Sequence, residues 1–308
     1  MKKFRKLAAA SCAALLVAAI GAGCGSKTAT NQLEMYEGNF SEMQLIHHMI
    51  KMVVEAHTDL TVNIKDEMTS VNMFKELTAK DPSCDLMNSY DGTLLTTYLK
   101  LDPEDVPAGQ SIYDFSNEKA EAQYGIHLLD KLGFNDTYCV AVPQSIADQY
   151  NLTTISDLVP VASKLRFGAE HEFFTEEGSM KYGPFTKFYG LNFKEAIPVD
   201  LGLKYAAVEN GSFEVTEVYS TDGLNRKAQL KVLQDDKNFF PEYNGAILIR
   251  DDVIEKYKDV APNLVDVLNS LAGKFTNETM TDLTYKVDVE GQSVDTVAKD
   301  FLTQQGLL

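Results

Sequence analysis

From residue 33 onward, short β-patterned stretches alternate with amphipathic helical ones, and this alternation restricts the chain to a few architectures. Leu33 and Met35 alternate with polar residues, after which Gly38-Asn39-Phe40 turns the chain. Ser41 and Gln44 have capping-box spacing, ahead of a helix with Ile46, Met49, Ile50, Val53 and Val54 on one face. Leu60, Val62 and Ile64 form the next strand, and Val71, Phe74 and Leu77 the next helix. Residues 85–90 have strand character, and Asp91-Gly92-Thr93 opens another helix. Further strands are expected at 137–142, 165–169, 214–219 and 245–249, with a helix start at Ser156. Leu264, Leu268 and Leu271 share a helical face that stops at Gly273, and Ser293 caps a last helix carrying Val297, Ala298, Phe301 and Leu302. The pattern predicts an α/β fold on a largely parallel sheet, and 308 residues suggest two lobes.

The first 23 residues are expected to be a targeting segment. Lys2, Lys3, Arg5 and Lys6 precede a run of apolar and small residues that is too short for an ordinary membrane span. The run ends in Gly21-Ala22-Gly23-Cys24, which resembles a lipoprotein signal whose cleavage leaves a lipidated Cys24. A plain secretory signal with a coincidental cysteine is the alternative. Residues 24–31 are small and polar, a short tether. The expected location is extracytoplasmic, anchored to the cell membrane by lipid alone. Lys plus Arg number 28 against 45 Asp plus Glu, a net charge of −17, so a phosphate backbone would be repelled and no nucleic-acid partner is expected. Cys84 and Cys139 are the only thiols beyond Cys24, and two separate structural cysteines are the preferred reading.

No G-x-S-x-G elbow, P-loop or G-x-G-x-x-G stands in the sequence. His171-Glu172 begins like a zinc-protease motif, but Thr175 stands where the second histidine belongs. His47-His48 is expected on a helix surface rather than as a ligand pair. The expectation is binding rather than catalysis, with no metal and no cofactor.

Five segments in order carry a resemblance: Gly38-Asn39-Phe40-Ser41-Glu42, the run from Asp85 to Thr93, Gly133-Phe134-Asn135-Asp136-Thr137-Tyr138, Tyr219-Ser220-Thr221-Asp222-Gly223, and the run from Asp235 to Tyr243. Together they resemble the substrate-binding lipoproteins of ABC importers for quaternary ammonium compounds. The resemblance implies a two-lobed periplasmic-binding-protein-like fold with the ligand in the cleft between hinged lobes. Lobe one would comprise residues 31–134 plus 241–308, and lobe two residues 135–240. ABC permease and ATPase subunits would be the partners.

The resemblance places an aromatic cage on Tyr90, Tyr138, Tyr219 and Tyr243. A trimethylammonium head has no N–H to donate, and ring faces attract its diffuse charge. Asp136 would add a negative charge, since two residues before Tyr138 on a strand it points to the same side. Thr93 and Asn39 would orient the ligand's polar end. Two departures bear on the ligand: Gly38 replaces a basic residue, and Glu176, after Phe173-Phe174, replaces an arginine that carboxylated ligands use. These departures favour choline. Glycine betaine, carnitine or ergothioneine with another basic partner such as Lys181 is the alternative, as is a sensing lipoprotein uncoupled from transport.

Overall fold

The computed structural model describes residues 31–175 and 178–308; the expected leader, Cys24, nearly all of the tether and Glu176 lie outside them. Among the described residues ten strands form three sheets. β1 (Gln32–Gly38) and β2 (Thr61–Met68) pair in parallel. β3 (Leu86–Tyr90), β4 (Ile126–Leu128) and β10 (Gly245–Arg250) form a three-stranded sheet with β10 at its centre. β5 (Tyr138–Pro143), β6 (Arg166–Glu170), β7 (Glu195–Val199), β8 (Val215–Tyr219) and β9 (Leu230–Leu233) form a five-stranded sheet in the order β7-β6-β8-β5-β9.

The largely parallel sheet expected from the alternation is only part of the answer. β6 runs parallel to β7 and β8, which follow it through helical crossovers. The antiparallel pairs all involve β5 or β10: β5 with β8 and β9, β10 with β3 and β4. Each of these two strands enters its sheet directly from the other sheet's side of the chain. No helical crossover feeds it, so nothing imposes a parallel direction.

The first helix, Ser41–His57, is packed on more than one side. Met43, Leu45, Ile46, Met49, Ile50, Val53 and Val54 are all fully buried. The same packing overturns two local expectations. His47 is not a surface residue: it is fully buried, and its Nε2 accepts the Asn88 backbone N–H of β3 at 3.0 Å. The expected capping box is also absent. Ser41 lies inside the helix and donates to Asp288 Oδ2 at 2.5 Å, while Gln44 donates to the Gly38 carbonyl at 2.9 Å. Tertiary partners out-compete the local cap. At the other end of the chain the local rule holds, with the Ser293 hydroxyl accepting the Thr296 N–H at the start of Val294–Gln304. Cys84 and Cys139 are free thiols, both pushed up to about 12 by burial.

Candidate binding cleft

Tyr90 closes β3 and faces Gly245, the first residue of β10, across the ladder. Asp91 locks this junction, accepting from the Gly92 N–H at 2.8 Å, the Asn244 N–H at 2.7 Å and the Asn244 side chain at 2.8 Å. Tyr243 is thereby held beside the turn that carries Thr93. A side chain at Gly92 would strike the Glu242 carbonyl at 2.6 Å and the Tyr243 ring at 2.7 Å, so only glycine permits this approach. Asn135 fixes the other approach to Tyr243: its Oδ1 accepts the Tyr243 N–H at 2.7 Å, and Asp136 N–H donates to the Tyr243 carbonyl at 2.9 Å.

Tyr138 and Tyr219 are direct cross-strand partners of β5 and β8, with ring centroids 5.4 Å apart. The Tyr138 ring also meets Tyr243 edge-on at 5.3 Å, and lies 5.6–5.7 Å from Phe240 and Phe173. One cleft of about 210 Å³ is lined, among others, by Tyr90, Tyr138, Tyr219, Tyr243, Asp136, Thr93 and Asn39. Seven of the eight expected ligand residues are therefore brought together; the eighth, Glu176, lies outside the described residues.

Other cleft residues escaped the sequence reading. Glu170 accepts the Tyr219 hydroxyl at 2.7 Å and the Lys204 ammonium at 3.0 Å. Glu217 takes the same ammonium at 3.0 Å, so Lys204 sits fully buried between two carboxyl groups, 4.8 Å from the centroid of Tyr219. Burial alone would raise the Glu170 carboxyl, but the ammonium and its hydrogen bonds hold it at about 2. Burial, then the charge of Glu170, drives Glu217 the other way, well above the carboxylate range. His171, Glu172 and Asp200 also line the cleft.

Glu42 and Thr221 line a second cavity of about 500 Å³, which shares Asn39, Phe40, Asp136, Asp200, Leu201 and Tyr219 with the first. Glu42 accepts the Tyr90 hydroxyl at 2.6 Å and meets Thr221 Oγ1 at 2.5 Å. Burial raises both Glu42 and Asp136, the latter to about 7. No sequence signal separated Glu42 from an ordinary acid in a first helical turn. Lys181, named only as an alternative, is buried in the cleft with Nζ 5.8 Å from the Tyr138 centroid. Among the described residues no cluster of three His, Cys, Asp or Glu is arranged to hold a metal, and no helix is long and apolar enough to cross a membrane.

Comparison with known proteins matches residues 32–304 to a family described as the substrate-binding domain of ABC-type glycine betaine transport systems. A carnitine transport binding protein of Listeria monocytogenes (strain 10403S) is 31% identical over 262 residues, covering 85% of this chain and 83% of that protein. An ergothioneine transport permease/ergothioneine binding protein of Helicobacter pylori (strain G27) is 35% identical over 224 residues. That alignment takes in 72% of this chain but only 38% of the relative's length. Among solved structures, a glycine betaine/carnitine/choline ABC transporter protein superposes with a TM-score of 0.71 at 28% identity, covering 89% of this chain and 99% of the other.

Proposed function

Because the chain belongs to the family of substrate-binding domains of ABC-type glycine betaine transport systems, we propose that its tyrosine-lined cleft captures a quaternary ammonium ion, choline foremost. One observation carries the reading: Tyr90, Tyr138, Tyr219 and Tyr243 line the same small cleft as the Asp136 carboxyl. Ring faces are worth about 0.5–1 kcal/mol each to a cation in the open and roughly 2 or more when water is excluded. Three or four of them supply much of the ~8 kcal/mol of a micromolar complex. With Glu170 already paired to Lys204, Glu172 and Asp200 still outnumber Lys181 on the rest of the wall, which favours a net cation over a zwitterion.

Lys181 favours a second reading, in which its ammonium meets the carboxylate of a betaine-type ligand. Carnitine and ergothioneine, the ligands in the names of two relatives, belong to that class. In either case the binding protein serves a permease and an ATPase. Residues 135–240 form the second lobe, the chain outside them (31–134 and 241–308) forms the first, and a lipid on Cys24 holds the protein at the outer face of the membrane.

Calorimetric titration of the protein lacking residues 1–23 with choline, glycine betaine, carnitine and ergothioneine is the test. Choline is expected to bind tightest. A zwitterion binding as tightly as choline, with that affinity lost in Lys181→Met, moves the assignment to the second reading. Failure of all four ligands to bind overturns the cage.

A further inference from the structure

The Thr221 hydroxyl oxygen lies 2.5 Å from Glu42 Oε2 and 2.6 Å from Asp136 Oδ1. A hydroxyl carries one hydrogen and can donate it to one of these carboxyl groups only. The other short contact needs its own hydrogen, and the remaining source is the carboxyl group itself. Both acids are buried, and Tyr90, a proposed cage member, donates its hydroxyl to the far oxygen of Glu42. We propose that Glu42, Thr221 and Asp136 hold one exchangeable proton, and that a permanently cationic ligand settling among the tyrosines expels it. Glu42 is thereby a specificity-determining residue of the cleft, reached through Tyr90 and Thr221. The inference rests on the quaternary ammonium reading and deepens it.

The step balances simply. The carboxyl O–H bond breaks, the proton passes to solvent buffer, and the carboxylate left behind faces the ligand's fixed positive charge. Surrounding groups favour keeping the proton until a cation arrives. Burial and the charge of Asp222 raise both acids. Asp288, which accepts the hydroxyl of Ser41 next to Glu42 in the chain, lines the adjoining cavity with Glu67 and Asp200. Lys204 opposes them at Asp136, but its ammonium is engaged by Glu170 and Glu217. Cys139, close to Asp136, is a neutral thiol.

Choline has no group that titrates between pH 5.5 and 8.5, so any pH dependence of its binding belongs to the protein. Affinity is expected to rise with pH through neutrality, at most about tenfold per unit, the slope of one released proton. Calorimetry in phosphate and in Tris, buffers of different ionisation heat, should show proton release approaching one at the acid end. Glu42→Gln and Thr221→Val are expected to flatten the pH dependence. His171→Gln should keep it, which excludes the histidine on the cleft wall as its source. Carbon-13 titration of the Asp and Glu carboxyl groups in the ligand-free protein reads the proton directly and needs no variant to fold. One member of the pair should titrate near neutrality. Choline binding that is independent of pH and buffer overturns the expulsion step. Both carboxyl groups titrating below pH 5 overturns the shared proton. If no quaternary ammonium ion binds, the ligand reading and the expulsion step fall together, and the carboxyl titration still decides whether the proton is there.

Discussion

Two buried acid clusters flank the cleft, and each takes the hydroxyl of one tyrosine. Glu170 receives Tyr219, and Glu42 receives Tyr90. The first cluster contains its own cation, Lys204, 3.0 Å from two carboxyl groups. The second contains only the hydroxyl of Thr221 between its acids. Where an ammonium is built in, the negative charge is used up inside the fold: Glu170 is held at about 2, and Glu217 beside it is raised well above the carboxylate range by burial and by the charge of Glu170. Where it is missing, burial wins and Asp136 rises to about 7. Buried carboxyl groups therefore do opposite work: one cluster spends its charge on an internal ammonium, and the other, in the proposed reading, keeps its charge in reserve for a cation from outside.

The largest effect that would break this contrast is on stability. Lys204→Met should leave a buried carboxylate without its cation and cost about 3–5 kcal/mol, the range for removing one partner of a buried ion pair. Denaturant unfolding at pH 7 measures it, and a loss below about 1 kcal/mol would mean that the ammonium is not structural.

Next in size are the tyrosines themselves. Tyr138→Ala or Tyr219→Ala should weaken choline binding by about 1–2 kcal/mol, and phenylalanine at either position should cost less because the ring face remains. Wild-type affinity in both alanine variants would detach the cation site from these rings.

The smallest effect sharpens the contrast with a half-buried set. Glu37 Oε2 meets His48 Nε2 at 2.7 Å, and His48 Nδ1 meets Asp295 at 2.6 Å. Burial opposes ionisation of Glu37, but His47 and His48 hold it at about 2, and Glu37 with Asp295 raises His48 above its usual value. The lowered acid contributes stability above about pH 4.5, lost as the pH falls toward 2. The raised histidine contributes below about pH 6.5, lost as the pH climbs past its elevated value. The tie is thus strongest between these limits and worth under about 1 kcal/mol because it borders solvent. Thermal melts from pH 3 to 9 on wild type and Glu37→Gln check it, and superimposable profiles would remove Glu37 from the account.

The cleft was partly legible in the sequence. The segments carrying Tyr90, Tyr138, Tyr219 and Tyr243 stood out by resemblance, and the fold brings all four to one cavity. The spacing of Asp136 and Tyr138 placed them together because side chains two apart on an extended strand share a side. Glu42 and Thr221 lay inside two of the five resembling segments yet could not be paired, being 179 residues apart. Nothing in the sequence singled out Lys204. Its burial is set by Glu170 and Glu217, carried on β6 and β8.

The amino-acid sequence alone determined where strands and helices begin and end wherever the signal is local. The apolar spacing of the first helix, the Ser293 cap and the start of a helix at Asp91 all depend on neighbours within a few residues. Only the tertiary structure decided the direction of β5 and β10, because a strand reached without a helical crossover takes its direction from the sheet it joins. It also decided which polar groups leave water: His47 against β3, Ser41 turned to Asp288, Glu42 and Asp136 facing one hydroxyl. Hydrogen-bond periodicity is a property of adjacent residues. The charge state of a buried acid depends on solvent exclusion and on partners from distant parts of the chain, and folding alone assembles those.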